Sequence, residues 1–330
     1  MPVHPWQKAL WQYLTRTRER LPHALLLQGR RGTGKRDFAL ALAHWLLCEA
    51  PVGDQPCGRC RACHLVAVGN HPDLRLIEPL EGEEEGRAMR QIAIAQVREL
   101  ADFVGLTSHQ QGRRVIVIHP AEAMNPAAAN ALLKTLEEPA DNTVFLLVSH
   151  QPRQLLPTVV SRCRTVALPL PDERTARAWL EAQGVTDAGL CLALAGGAPL
   201  EALRYADGEY LAARRAFLAA LAEPVRLDWL KLAEQGARQE ASGQIASQIE
   251  WLQKWLYDLL AVRLAGRVRY NPDFAPRLRE LGAGVNVNAL LRFARELEGV
   301  RRHLHHPLNP QLLLERVFSG YQRAVMTQNG

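Results

Sequence analysis

The run Ala24-Leu-Leu-Leu27, Gln28, Gly29-Arg-Arg-Gly32-Thr33-Gly34-Lys35-Arg36 decides how the first half of the chain folds. Apolar residues lead straight into a glycine-rich turn, and an apolar helical pattern starts at the lysine. Strand, loop and helix in that order are what a phosphate-binding loop requires. Glycines let successive backbone N–H groups turn inward, and the helix N-terminus adds positive potential. Lys35 supplies the point charge. The next position, normally Ser or Thr with a hydroxyl for Mg²⁺, is Arg36, and a guanidinium cannot ligate a cation. The residues predict a phosphate loop at Gly29, Gly32, Gly34 and Lys35 without its Mg²⁺. Nucleotide binding is left open there, the alternative being a turn that only shapes the fold.

On either side of the loop, short apolar runs alternate with helical patterns, which predicts a parallel sheet covered by helices. Strands are predicted at 24–27, 74–77, 115–118, 143–148 and 165–168, and helices at 35–48, 95–105 and 126–137. Val115-Ile-Val-Ile118 shows no polar alternation, as suits a strand buried on both faces. It ends in His119-Pro120. An active ATPase of this class ends that strand in an Asp that holds Mg²⁺, followed in many families by a Glu that activates water. Neither His119 nor Pro120 does those jobs, and Glu122 is expected on the surface. Arg36, His119 and Pro120 together predict an abandoned catalytic site.

Pro169 and Pro171 break the pattern, and 175–183 and 190–194 then read as helices of a small domain ending near Asp207 and Gly208. From Tyr210 strand signals stop, and Trp251, Leu252, Trp255, Leu256, Leu259 and Leu260 recur on one helical face, read as packing. Asn271 to Pro276 and Gly282-Ala-Gly284 divide this region into several helices, and Pro310 opens the last one. The acidic segment from Glu81 to Glu85 reads as an exposed loop. The boundaries expected are 1–168 for the α/β domain, 169–208 for a small helical domain and 209–330 for an all-α domain.

Six cysteines in a chain with no export signal are not read as three disulfides. Cys57-Gly-Arg-Cys60-Arg-Ala-Cys63, with Cys48 upstream, instead offers four thiolates in a short segment, the ligand set of structural Zn²⁺. His64 and His71 are the rival fourth ligands. Four thiolates leave no open position, so the zinc expected at 48–63 is structural. Cys163 and Cys191 stand apart, and Cys191 reads as a small core side chain.

A chain of 330 residues exceeds what one core usually serves, and 48% hydrophobic with 22% charged residues is ordinary for a folded soluble protein. A formal charge of +6 is mild, short of a dedicated nucleic-acid binder. No apolar run approaches the ~18 residues of a membrane span, so no membrane contact and a cytoplasmic location are expected.

Asn130-Ala-Leu-Leu-Lys-Thr-Leu-Glu-Glu-Pro139, Thr143-Val-Phe-Leu-Leu-Val-Ser149 and Ser161-Arg162-Cys163 resemble the core of clamp-loader subunits among the AAA+ ATPases. The cysteine module and Leu308-Asn-Pro-Gln-Leu-Leu-Leu-Glu315 match the same family, so the resemblance spans almost the whole chain. His4-Pro-Trp-Gln7 and His71-Pro72-Asp73 look like its delta prime branch, to which degenerate ATP sites belong. The resemblance implies an AAA+ P-loop domain, a helical lid and a helical collar that joins five subunits in an open ring. It implies as partners the gamma or tau ATPase subunits and the delta subunit, with the sliding clamp and primed DNA met through the complex. Arg162 would be an arginine finger acting in trans on a neighbour's ATP. Ser149 stands where active relatives sense the γ-phosphate, and Leu200 where they carry a sensing arginine. An active P-loop ATPase and a zinc-dependent DNA-binding module, suggested by Arg59 and Arg61, are the competing expectations.

Overall fold

The computed structural model describes residues 3–16, 20–79, 91–105, 113–238, 244–302 and 309–327. The acidic segment from Glu81 to Glu85 lies outside them. The chain divides into two compact units between Thr175 and Ala176.

The first unit is a five-stranded parallel sheet, β1 (Ala24–Gln28), β2 (Leu74–Ile77), β3 (Arg114–Ile118), β4 (Thr143–Ser149) and β5 (Arg164–Ala167), in the order β2-β3-β4-β1-β5. Its helices are α1 (Lys8–Arg16), α2 (Lys35–Leu47), α3 (Arg61–Ala67), α4 (Ile94–Gly105), α5 (Pro126–Glu137) and α6 (Pro157–Val160). The apolar runs without alternation are explained by two covered faces. Leu25, Leu27, Val115, Val117, Leu146 and Val148 pack with α1 and α2, while Leu26, Ile116, Ile118, Phe145 and Leu147 pack with α4 and α5. The parallel α/β class read from the sequence, with helices on both faces of the sheet, is the one observed. β5 begins and ends one residue earlier than expected, and β4 runs on to Ser149. Asn125 caps α5 by accepting from the Ala128 amide at 2.8 Å, with Pro126 in the first turn.

The regular elements of the second unit among its described residues are helices. α7 (Glu173–Ala182) spans the division, followed by α8 (Ala188–Leu194), α9 (Pro199–Arg204), α10 (Gly208–Leu221), α11 (Trp229–Arg238), α12 (Gln244–Ala265), α13 (Ala275–Gly284), α14 (Val287–Arg302) and α15 (Pro310–Met326). Cys191 is fully buried in a small cluster with Ala176, Leu180 and Ala202. The expected stripe on α12 is core: Trp251, Leu252, Trp255, Leu256 and Leu259 are buried with Leu314, Phe318 and Tyr321 of α15. Trp255 Nε1 donates to Tyr321 Oη at 2.9 Å, and that hydroxyl donates to the Leu221 carbonyl at 2.7 Å, so both polar tips are satisfied in the core. Asp258 is fully buried and accepts from the amides of Arg269, Tyr270 and Asn271 at 2.8, 3.0 and 2.8 Å, which fixes the turn after α12. Among the described residues no helix is long and apolar enough to cross a membrane.

Candidate functional site

Because the sheet is parallel, the segments after β1, β2, β3 and β4 all leave from one edge, where ligands of such sheets bind. The register aligns Gln28 with Ser149 and Ile118 with Leu147, and it brings the glycine loop, Glu78, His119 and His150 to that edge. The loop is shaped by contacts no side chain would allow. A Cβ at Gly29 would stand 2.8 Å from the Leu168 carbonyl oxygen, and one at Gly34, where φ is +81°, would stand 2.4 Å from His4 Cδ2. The N-terminal segment is pinned to the same turn. Trp6 Nε1 and Gln7 Nε2 donate to the Thr33 carbonyl at 3.0 and 2.9 Å, and the His4 and Trp6 rings stack 4.8 Å apart.

Lys35 opens α2, is only 2% exposed, and donates through Nζ to the Arg30 carbonyl at 2.6 Å. Burial pulls its ammonium down to about 8, against the opposing charge of Glu122. Arg36 grips Glu78, which follows β2, with both edges of its fork: Nε to Oε1 at 2.7 Å and Nη2 to Oε2 at 3.1 Å. His119 Nδ1 lies 2.9 Å from the same Oε1. The hydrogen bond from Arg36 holds the Glu78 carboxyl below its usual range and raises the guanidinium. A closed cation–carboxylate–imidazole group therefore occupies the ground between the loop and the end of β3.

Glu122 is not a surface group as expected. It is half-buried, and its Oε1 accepts the amides of His150 and Gln151 at 2.8 and 3.1 Å, fixing the turn after β4. Ser149 is fully buried, and its hydroxyl has no hydrogen-bond partner among the described residues. His150, which sequence reasoning missed, packs edge-on to His119 at 5.3 Å. Burial, reinforced by Lys35, His119 and Arg31, pushes its imidazole down from 6.5 to about 3.

That shift has a sign. Between these two values the unfolded chain takes a proton on His150 that the folded chain refuses, so its stabilising contribution is complete above 6.5 and lost as pH falls toward about 3. The thermal midpoint of the wild type is expected to drop relative to His150→Gln as pH goes from 7.5 to 4.5. Parallel curves would contradict the burial of a neutral imidazole.

The cysteines come together as expected. Cys48 ends α2, Cys57 and Cys60 lie in the following loop, Cys63 is in α3, and their four Sγ atoms all lie within 4.8 Å of one another. Cys48 to Cys60 is 4.0 Å and Cys57 to Cys63 is 3.9 Å. Sulfurs bonded at ~2.3 Å to one tetrahedral ion stand about 3.8 Å apart, so the cluster fits such an ion as it is. The amides of Cys57, Cys60 and Cys63 donate to the sulfurs of Cys48, Cys57 and Cys60 at 3.2, 3.4 and 3.4 Å, as thiolate ligands require of a supporting backbone. Neither rival histidine joins the set. His71 is buried beside its own turn, its Nδ1 accepting the Asp73 amide at 3.1 Å.

Arg162 follows α6. Its Nε donates to Glu137 Oε1 at 2.7 Å, its Nη2 also contacts that oxygen, and its Nη1 donates to the Thr158 carbonyl at 2.9 Å. Leu200 is the second residue of α9, in the other unit.

The sequence profile described as DNA polymerase III, delta subunit matches residues 6–172, and the profile for the C-terminal part of that subunit matches 208–319. A DNA polymerase III subunit delta prime of Yersinia pestis is 34% identical over 99% of this chain and 97% of its own. The chain belongs to the delta prime family of DNA polymerase III subunits. The Escherichia coli delta prime is 31% identical over 92% of this chain and 90% of its own, and that of Pseudomonas aeruginosa is 47% identical over a stretch covering 61% of each. Within this delta prime chain the first profile takes in the glycine loop, the cysteine module and Arg162, and the second begins at α10.

Proposed function

We propose that this chain is the non-catalytic delta prime member of a bacterial clamp loader. In this reading it works in the cytoplasm in a five-subunit ring with gamma or tau ATPase subunits and delta, and helps place the sliding clamp on primed DNA. The observation that carries the non-catalytic part is the Arg36–Glu78–His119 group. Where an ATPase needs a hydroxyl and a carboxylate free for Mg²⁺, the guanidinium and the imidazole share the one carboxylate between them. The residues present do not fit Mg²⁺. Gly29, Gly32, Gly34 and Lys35 then serve to shape the loop, with the lysine turned onto its own loop carbonyl.

The competing reading, an active ATPase, draws support from the intact lysine and from Glu122 Oε2, which has no hydrogen-bond partner among the described residues. Magnesium-dependent ATP hydrolysis by the purified chain decides between them. No turnover above background is expected, whereas turnover abolished by Lys35→Ala would establish the active reading.

Three parts follow the family plan: an α/β domain at 1–168, a lid at 169–208 and a collar at 209–330. Separate apolar clusters around Leu180 and around Trp255 support the split of the helical half. Cys48, Cys57, Cys60 and Cys63 would hold Zn²⁺ through four thiolates. Such an ion supplies cross-linking and no catalysis, because all four positions are filled. Arg162 acts in trans, stabilising charge on the γ-phosphate bound by the adjoining subunit.

A further inference from the structure

The carboxylate that meets Arg162 is out of place by local rules. Glu137 is the last residue of α5, where the helix dipole disfavours a negative charge. Its side chain is 48% exposed and that of Arg162 32%, and an exposed ion pair adds little to stability. What the pair does achieve is orientation. Arg162 Nε and Nη2 converge on the single oxygen Glu137 Oε1, while Nη1 is held by the Thr158 carbonyl from the turn before. Two separate elements, the end of α5 and the start of α6, thus fix the plane of a side chain that otherwise has many rotamers. The second hydrogen on Nη2 has no acceptor among the described residues, and Glu137 Oε2 has no donor among them.

We infer that Glu137 is a positioning residue for Arg162, holding the guanidinium plane ready for an incoming phosphate. The inference rests on the reading of Arg162 as a finger acting in trans. A preset fork loses less freedom on meeting the phosphate than a free side chain would, so its orientation enters the rate and not the binding of ATP, which the other subunit does.

The test uses the assembled complex, arranged so that the adjoining site alone hydrolyses ATP, with Glu137→Ala, Arg162→Ala and the double variant. Glu137→Ala is expected to lower kcat between about 10- and 100-fold with KM for ATP unchanged, the scale on which misplaced groups act. Glu137→Gln, which keeps an acceptor oxygen, should lose less. The double variant should be no slower than Arg162→Ala, because Glu137 has nothing left to position. If Glu137→Ala runs at the wild-type rate while Arg162→Ala is slow, or if the two losses multiply, this inference is wrong and the finger stands. If Arg162→Ala itself runs at the wild-type rate, the finger reading fails and the inference falls with it.

Discussion

Arg162→Ala is expected to slow ATP hydrolysis at the one adjoining site by roughly 10³- to 10⁵-fold, the range over which arginine fingers act on phosphoryl transfer. Folding should survive, because the guanidinium is partly exposed and its partners are one carboxylate oxygen and a backbone carbonyl at the start of α6. Total turnover by the complex should fall by less, since other sites continue. Clamp loading onto primed DNA should fall with it. Lysine should rescue poorly, because a point charge cannot reproduce the planar fork that reaches both Glu137 and Thr158. Normal loading by Arg162→Ala complexes at low and high ATP would make the arginine a structural ion pair.

Cys60→Ser is expected to release the metal and to unfold the segment between α2 and α3. One zinc per wild-type chain is anticipated in protein purified without added metal, and less than half an equivalent in the variant. The loss is large because the metal replaces a core. Between Cys48 and α3 the chain is held by the Val52–Gln55 bridge and by two indole contacts, Trp45 to Gly53 and Trp11 to Asp54. Structural sites of this type contribute about 10 kcal/mol or more in apparent binding energy. Faster proteolysis between residues 48 and 63 should accompany the metal loss. Unchanged metal content in Cys60→Ser would remove the site.

The sheet was readable because its central strands β1, β3 and β4 are buried on both faces. Val115-Ile-Val-Ile118 and Thr143-Val-Phe-Leu-Leu-Val148 leave no helical or half-exposed alternative, and the glycines before Lys35 set the strand–helix order. The cysteines were readable because close spacing alone restricts four thiolates to one neighbourhood. The short helices α3 and α6 carry too few residues for a periodic signal, yet they place Cys63 and Arg162.

The contacts of the site were not readable, because they join residues far apart in sequence. Nothing local says that Glu78 will meet Arg36, 42 positions earlier, or that Glu122 will bind the amides after Ser149 rather than face solvent. An isolated carboxylate in a polar stretch has a solvated surface as its ordinary fate. His150 gives no signal at all, since its depressed basicity arises from burial and from Lys35, His119 and Arg31, which the fold brings to it.

The most direct test is DNA-stimulated ATP hydrolysis and clamp loading by the complex reconstituted with the other clamp-loader subunits, with this chain as wild type, as Lys35→Ala, or left out. Omission is expected to abolish both activities, and Lys35→Ala to leave both at the wild-type rate, because this chain completes the ring without turning over ATP itself. Full activity without the chain, or loss of activity in Lys35→Ala complexes that still assemble, would contradict a non-catalytic delta prime role.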